Sequence, residues 1–424
     1  MQPVNQPLAD GVGFLALPDD RFKTARITAA LLLPLREATA SANAILPFLL
    51  RRSCAAYPDF TTLQRRLCEL YGARVTGYVM RVGESQALLL NAVSIDDRFA
   101  LDGEAVASQC AALLGEMLFR PAWENGVFRA QDLELERRCL TERIQSEINE
   151  KRLYARHRCE QVMCEGEPYA VGRYGTLRNA EELTAEQVTG AWRQALAGAR
   201  IQVIAQGAGD LEAVAGTLRE GLSGIQRQPL PAETAGEGPA RRTVRTVTER
   251  MDVNQAKLVM GFRTGVTEPD GDVPAMRLMN ALWGGTPHSL LFRHVREELS
   301  LCYYCASSYD RLKGVMLVDS GVEEANAARA QEEVLRQLEA IRAGRFEKED
   351  LESARRSVIN QLNTVGDLQT TLASWYLGQS ILPRFTSPSE AAGAVESVTA
   401  DRVMAAAARV TPDAVYLLAG KEEN

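Results

Sequence analysis

Residues 128–138 read FRAQDLELERR and residues 346–356 read FEKEDLESARR. Phe128, Asp132, Leu133, Glu134, Arg137 and Arg138 recur 218 positions later as Phe346, Asp350, Leu351, Glu352, Arg355 and Arg356. Six identities in eleven positions at one offset mark an internal duplication. The neighbouring elements repeat in the same order. Upstream of each copy lies a helical pattern, Val106, Leu113, Leu114, Met117 and Leu118 in the first half and Val334, Leu335, Leu338 and Ile341 in the second. Before these come the strand-like runs SQALLLNAVSI (85–95) and GVMLVDSGV (314–322), and each half returns to a strand, IQVIAQG (201–207) or AVYLLAG (414–420). The pattern predicts an α+β protein of two homologous domains, each a mixed or antiparallel sheet covered by helices. RQPLPAETAGEGPARR has no apolar period and is rich in Pro, Gly and Glu, so it reads as an exposed linker. The expected division is therefore 1–226, linker 227–242 and 243–424.

Composition narrows the function. With 424 residues, 46% hydrophobic and 24% charged, the chain has material for two ordinary cores. A net charge of -7 and a pI near 5.4 argue against binding to nucleic acid or an anionic membrane surface. The start, MQPVNQPLADGVGF, lacks a signal-peptide pattern, and no apolar run reaches the ~18 residues of a membrane span, so a cytoplasmic protein is expected. Eight sparse cysteines on helical patterns read as reduced thiols.

The duplication resembles the pitrilysin and insulinase superfamily of zinc peptidases, whose processing-peptidase branch has two homologous halves of this size in a LuxS/MPP-type fold. Active members carry H-x-x-E-H: two histidines and a distant glutamate bind zinc, and the inner glutamate activates water. The matching segment here is Asn43-Ala44-Ile45-Leu46-Pro47, which offers no histidine or carboxylate at the motif positions. The family's later E-x-x-V-x-x-x-E-I helix resembles Glu136–Ile144, with Arg143 at the third-ligand position and Glu142 as the alternative one residue away. Only three histidines exist, His157, His288 and His294, and none has paired-ligand spacing. No metal is expected in this chain.

Active relatives also carry, in the half without zinc, an arginine and a tyrosine seven residues apart. The segment GGTPHSLLFRHVREELSLCYY (284–304) resembles that element and supplies Arg296 and Tyr303. A guanidinium and a phenol can both donate to a peptide carbonyl as charge builds on its oxygen. The competing reading is a solvated helix arginine and a core tyrosine at a strand start. The preceding Gly284-Gly285 permits a tight turn or close approach to a neighbour.

FKTARITAALLLPL (22–35), LCELYGARV (67–75), INEKRLYARHRCEQVMCEGEPY (148–169) and LLFRHVREELSLCYY (290–304) resemble a narrower bacterial branch. Its members lack the zinc motif and are associated with 5-aminopentanol modification of elongation factor P. The resemblance implies a zinc-bearing homologue as heterodimer partner, zinc held by that partner, and a peptide or unfolded polypeptide as substrate. It also implies a clam-like shell in which this chain is the non-catalytic subunit. A stand-alone peptide-binding homodimer and a purely structural subunit are the rival expectations. Other clusters read as structural: His157, Cys159, Glu160 and Cys164 as residues of one long helix, and the C-x-x-C of Cys302 and Cys305 as thiols at a helix-to-strand passage. Arg51, Arg52, Arg65, Arg66, Arg137 and Arg138 read as solvated faces or ion-pair donors, or else as an attraction for an acidic peptide.

Overall fold

A computed structural model describes residues 3–230 and 243–421. In chain order its principal elements are β1 (Val4–Ala9), β2 (Val12–Pro18), β3 (Thr24–Pro34), α1 (Glu37–Ala44), α2 (Leu46–Leu50), α3 (Phe60–Glu69), β4 (Arg74–Val82), β5 (Ser85–Ile95), α4 (Val106–Phe119), α5 (Ala130–Asn149), α6 (Lys151–Met163), α7 (Leu177–Glu181), α8 (Ala185–Gly198), β6 (Arg200–Gly207) and α9 (Leu211–Gly221). The second half adds β7 (Arg245–Met251), β8 (Ala256–Arg263), α10 (Val273–Asn280), β9 (Cys302–Asp310), β10 (Val315–Val322), α11 (Ala327–Arg342), α12 (Lys348–Asn363), α13 (Gln369–Leu377), α14 (Pro388–Glu396), α15 (Ala400–Arg409) and β11 (Thr411–Gly420).

The duplication is written in the sheet topology. One sheet runs β1-β2-β6-β3-β5-β4 and the other β7-β11-β8-β10-β9. In each, the last strand of its half lies parallel to the first strand of the shared five-strand pattern, β6 with β2 and β11 with β7, and the remaining pairs are antiparallel. The strand-like run at 85–95 coincides with β5, and the run at 314–322 with β10. Both repeat copies begin helices, α5 and α12, and both preceding apolar patterns are helices, α4 and α11.

The chain divides into two compact units. The first holds the described residues of Met1–Gln145, Val171–Glu233 and Tyr376–Ile381; the second holds those of Ser146–Ala170, Thr234–Trp375 and Leu382–Asn424. In the first unit, helices cover one face of the sheet around Phe14, Leu31, Phe48, Leu88 and Met117. Gly77 of β4 permits close packing there, since a Cβ at that position would lie 2.4 Å from the Pro47 carbonyl oxygen of α2.

The second unit differs from a simple reading of the sequence halves, because α6 precedes the expected boundary yet packs on the second sheet. Strand alternation gives that sheet two apolar faces. Leu258, Met260, Phe262 and Met316 face a core with Trp283, Leu338 and Leu351. Val259, Leu317, Tyr416 and Leu418 face Ala155, Cys159 and Met163 of α6. At Gly261 a Cβ would meet Met163 Sδ at 2.7 Å, so the missing side chain admits the helix. Beyond the end of α6, Glu167 takes hydrogen bonds from Arg263 Nη2 at 2.5 Å and pairs with Lys313 Nζ at 2.6 Å, while Arg263 Nε reaches Asp413 at 3.0 Å. Burial pushes the Glu167 carboxyl up, but the hydrogen bonds and charges of Arg263 and Lys313 outweigh it and leave it below the usual glutamate range.

Of the expected linker 227–242, residues 231–242 lie outside the described residues. Arg227 is tied to the first unit, donating to the carbonyls of Asp10, Leu196 and Ala199. Its guanidinium thus holds the start of the segment that composition alone reads as free. No helix among the described residues is long and apolar enough to cross a membrane.

Candidate functional site

The positions that resemble the zinc motif form a helical turn whose side chains are engaged in packing. Asn43, at the end of α1, is buried and donates from Nδ2 to Gln86 Oε1 at 3.2 Å. Gln86 Nε2 in turn donates to the carbonyls of Ala40 at 2.9 Å and Arg173 at 2.7 Å. Leu46 and Pro47 open α2 and lie in the core, and neither side chain has a donor atom for a metal. Arg143, on α5, stacks over the ring of Phe48 with its guanidinium carbon 3.9 Å from the centroid. That stack sets a cation beside the turn of Leu46 and Pro47. Glu142, the alternative third position, is exposed and paired with Arg138 at 2.9 Å. Glu136 is almost fully buried and accepts from Arg52 at 3.1 Å, with Arg51 at 3.7 Å. Amide, aliphatic and guanidinium side chains do not fit a zinc ion, which needs imidazole, thiolate or carboxylate donors. Among the described residues no group of three or more His, Cys, Asp or Glu is arranged to hold a metal.

In the second unit the Arg/Tyr segment has a distinct local build. Two π-helical turns, Ala281–Gly285 and Phe292–Glu298, lead into β9. Such wide turns frequently accompany functional sites. At Gly284 a Cβ would lie 2.8 Å from Ser307 N, so the bare backbone seats this segment against β9. Arg296 is exposed, with its guanidinium carbon 4.5 Å from the centre of the Phe292 ring. Tyr303 is 67% exposed, which removes the core-tyrosine reading. Neither the Arg296 nor the Tyr303 side chain hydrogen-bonds to another described residue, so both donors are available at the surface.

The exposure of Tyr303 has a geometric cause. Cys302 pairs with Val322 and Tyr304 with Gly321, so Tyr303 is the extra residue of a β-bulge. The bulge lets Cys302 and Cys305 both face the core around Trp283, although a regular strand would send residues three apart to opposite faces.

These features match a group of known proteins. A family profile described as Peptidase M16 inactive domain matches residues 182–358, which include the Arg/Tyr segment. The probable inactive metalloprotease YmfF of Bacillus subtilis (strain 168) is 28% identical over 403 residues, covering 95% of this chain and 94% of that protein. A conserved protein from Enterococcus faecalis V583 has a crystal structure that superposes with a TM-score of 0.92 at 25% identity, covering 100% of this chain and 99% of the other. The chain is similar to insulinase-like peptidase homologues of the inactive branch. A protease from Helicobacter pylori shares the fold at a TM-score of 0.79 and 13% identity, covering 99% of both chains. The antilisterial bacteriocin subtilosin biosynthesis protein AlbE of Bacillus subtilis (strain 168) is 29% identical over 160 residues, 38% of this chain and 40% of that protein.

The thiols of Cys159, Cys164, Cys302 and Cys305 are buried, whereas Cys68 is exposed and Cys139 half-buried. The hydrogen bond with Cys305 lowers the Cys302 thiol, whereas Cys302 and burial together hold Cys305 well above its ordinary value. Cys159 and Cys164 are fully buried; Cys159 points its Sγ at the Val259 carbonyl, and Cys164 caps the end of α6. Of the arginines expected as solvated or paired, Arg52 bonds Asp132 and Glu136, Arg66 bonds Glu69, Arg137 bonds Glu134 and Arg138 bonds Glu142. Sequence reasoning missed one feature of the second unit, an open cleft of about 550 Å³ whose wall includes Arg152, Lys257 and Tyr304. Its residues come from three separated stretches, and no motif spacing connects them.

Proposed function

We propose that this chain is the non-catalytic subunit of a heterodimeric zinc peptidase that processes peptides or a precursor protein in the cytoplasm. A zinc-bearing insulinase-like homologue supplies the metal and the water-activating base, and this chain supplies Arg296 and Tyr303 to the substrate carbonyl. The observation that carries the reading is a contrast. The metal-motif positions hold groups committed to packing, whereas the Arg296 and Tyr303 side chains stand at the surface with no hydrogen-bond partner among the described residues. A pair of fixed hydrogen-bond donors stabilises charge only where that charge develops, so their value appears when another subunit provides the attacking water. The relation to AlbE, a protein of bacteriocin biosynthesis by name, supports a peptide as substrate. On its resemblance to the elongation factor P-associated branch, that modification system is the first place to seek the partner.

The test is to co-express this chain with the zinc-bearing homologue and compare hydrolysis of unfolded peptides by each alone and by the mixture. The mixture is expected to exceed the sum of its parts. Tyr303→Phe and Arg296→Ala are each expected to lower its kcat by roughly 10²-fold, the scale of losing one oxyanion donor, with the complex still formed on a sizing column. No gain on mixing removes the subunit reading. A gain that survives both substitutions removes the role of the pair.

A further inference from the structure

The cleft of the second unit is built at the N-terminal end of α6, between residues 149–152, the turn joining β7 to β8, and Tyr304 of β9. Three observations give it a positive, donor-rich wall. Lys257 is half-buried and has no ion pair among the described residues; its ammonium donates to Gln255 Oε1 at 2.6 Å and lies 5.8 Å from the Tyr304 ring centre. Arg152 covers the same ring at 4.3 Å, and its charge is shared: Asp319 takes 2.5 Å contacts from both Arg152 and Arg156, so one carboxylate serves two guanidinium groups. The Tyr304 hydroxyl is buried with no hydrogen-bond partner. An orphaned buried hydroxyl costs stability unless something supplies its partner.

The counter-charges limit what fits. Glu150 and Asp252 also line the cleft, are exposed, and neither pairs with Lys257. Glu150 offsets part of the Lys257 and Arg152 charge, Asp319 pairs with Arg152, and the two exposed carboxylates would repel a polyanion such as a nucleic acid or polyphosphate. Burial and, after it, the nearby Arg152 charge pull the Lys257 ammonium below the usual lysine range, against the opposing effect of Glu150. The first turn of α6 adds backbone donors, since its N-cap, Glu150, makes no side-chain capping bond.

We propose that this cleft is a subsite for a single carboxylate of a bound peptide, held by Lys257, the Tyr304 hydroxyl and the open end of α6. This rests on the peptide-handling reading above. The carboxylate has two sources, the peptide's own C-terminus or an acidic side chain.

The experiment is fluorescence anisotropy with the full chain and N-terminally labelled ten-residue peptides in three forms: free-acid C-terminus, amidated C-terminus, and amidated with one internal Glu. The free acid is expected to bind about tenfold more tightly than its amidated twin, the scale of one charge-assisted contact set. Recovery by the Glu-bearing peptide assigns the side-chain source; its absence assigns the terminus. Lys257→Gln and Tyr304→Phe should each reduce the preference to less than about threefold. Tyr304→Phe only removes an unpartnered hydroxyl, so its melting temperature should equal or exceed the parent's, which separates lost binding from lost folding. Equal binding of acid and amide with no gain from the internal Glu, a preference that persists in both variants, or no saturable binding of any peptide at about 1 mM overturns the proposal. Hydrolysis by the mixed subunits is scored separately, so failure of the subunit reading and failure of the subsite give different results.

Discussion

At the scale of single residues, the chain replaces metal-ligand chemistry with ordinary polar and apolar packing. Gln86 is the pivot, accepting from Asn43 and donating to two carbonyls. Gln86→Leu keeps the volume but strands these groups, and should lower unfolding free energy by about 2 kcal/mol in a urea titration; an unchanged midpoint would mean that the amide network is incidental. Glu167 carries a pH signature. Its folded carboxyl titrates below its ordinary value of about 4.5, so its contribution is fully present above that pH and is lost as pH falls through the lowered folded value. Thermal melts should show stability declining in that acid window, with a shallower decline and a lower neutral plateau in Glu167→Gln. Identical acid limbs for the two proteins would contradict the assignment. The residue types that rule out a zinc site were legible in the sequence. Their partners were not, because Gln86, Arg173 and Phe48 approach Asn43 and Arg143 only through the fold.

At the scale of elements, periodicity identified the strands and helices that build the two sheets, since buried strands and amphipathic helices each carry their own spacing. It did not identify the bulge at Tyr303. A regular alternation would have placed Cys302 and Cys305 on opposite faces, and only the pairing with Gly321 and Val322 shows the extra residue. Nor did it reveal why α2 lies against β4. There Gly77 faces the backbone of Pro47, which has no flexible end to move aside. Gly77→Ala should therefore destabilise the first unit by roughly 2 kcal/mol, as overpacking against fixed atoms does. Hydrogen exchange is the measurement, with faster exchange expected in α2 and β4; unaltered protection there would show that the turn can retreat.

For the whole molecule, the duplication is the organising fact, and the second sheet repeats five strand positions of the first in the same order. Zinc offered to the purified chain and then removed by desalting should remain far below one equivalent by elemental analysis, because the Asn43, Leu46, Pro47 and Arg143 side chains present no suitable donors. One tightly retained equivalent would overturn this. The sequence by itself determined the duplication, the α+β class and the missing ligand set, because each depends on residue type and spacing along the chain. Tertiary structure alone decided that α6 belongs with the second sheet, that Tyr303 stands at the surface, and that Lys257, Arg152 and Tyr304 share one cleft. Those outcomes depend on which distant strands pair and on where a glycine lets two backbones approach, and neither is encoded in local periodicity.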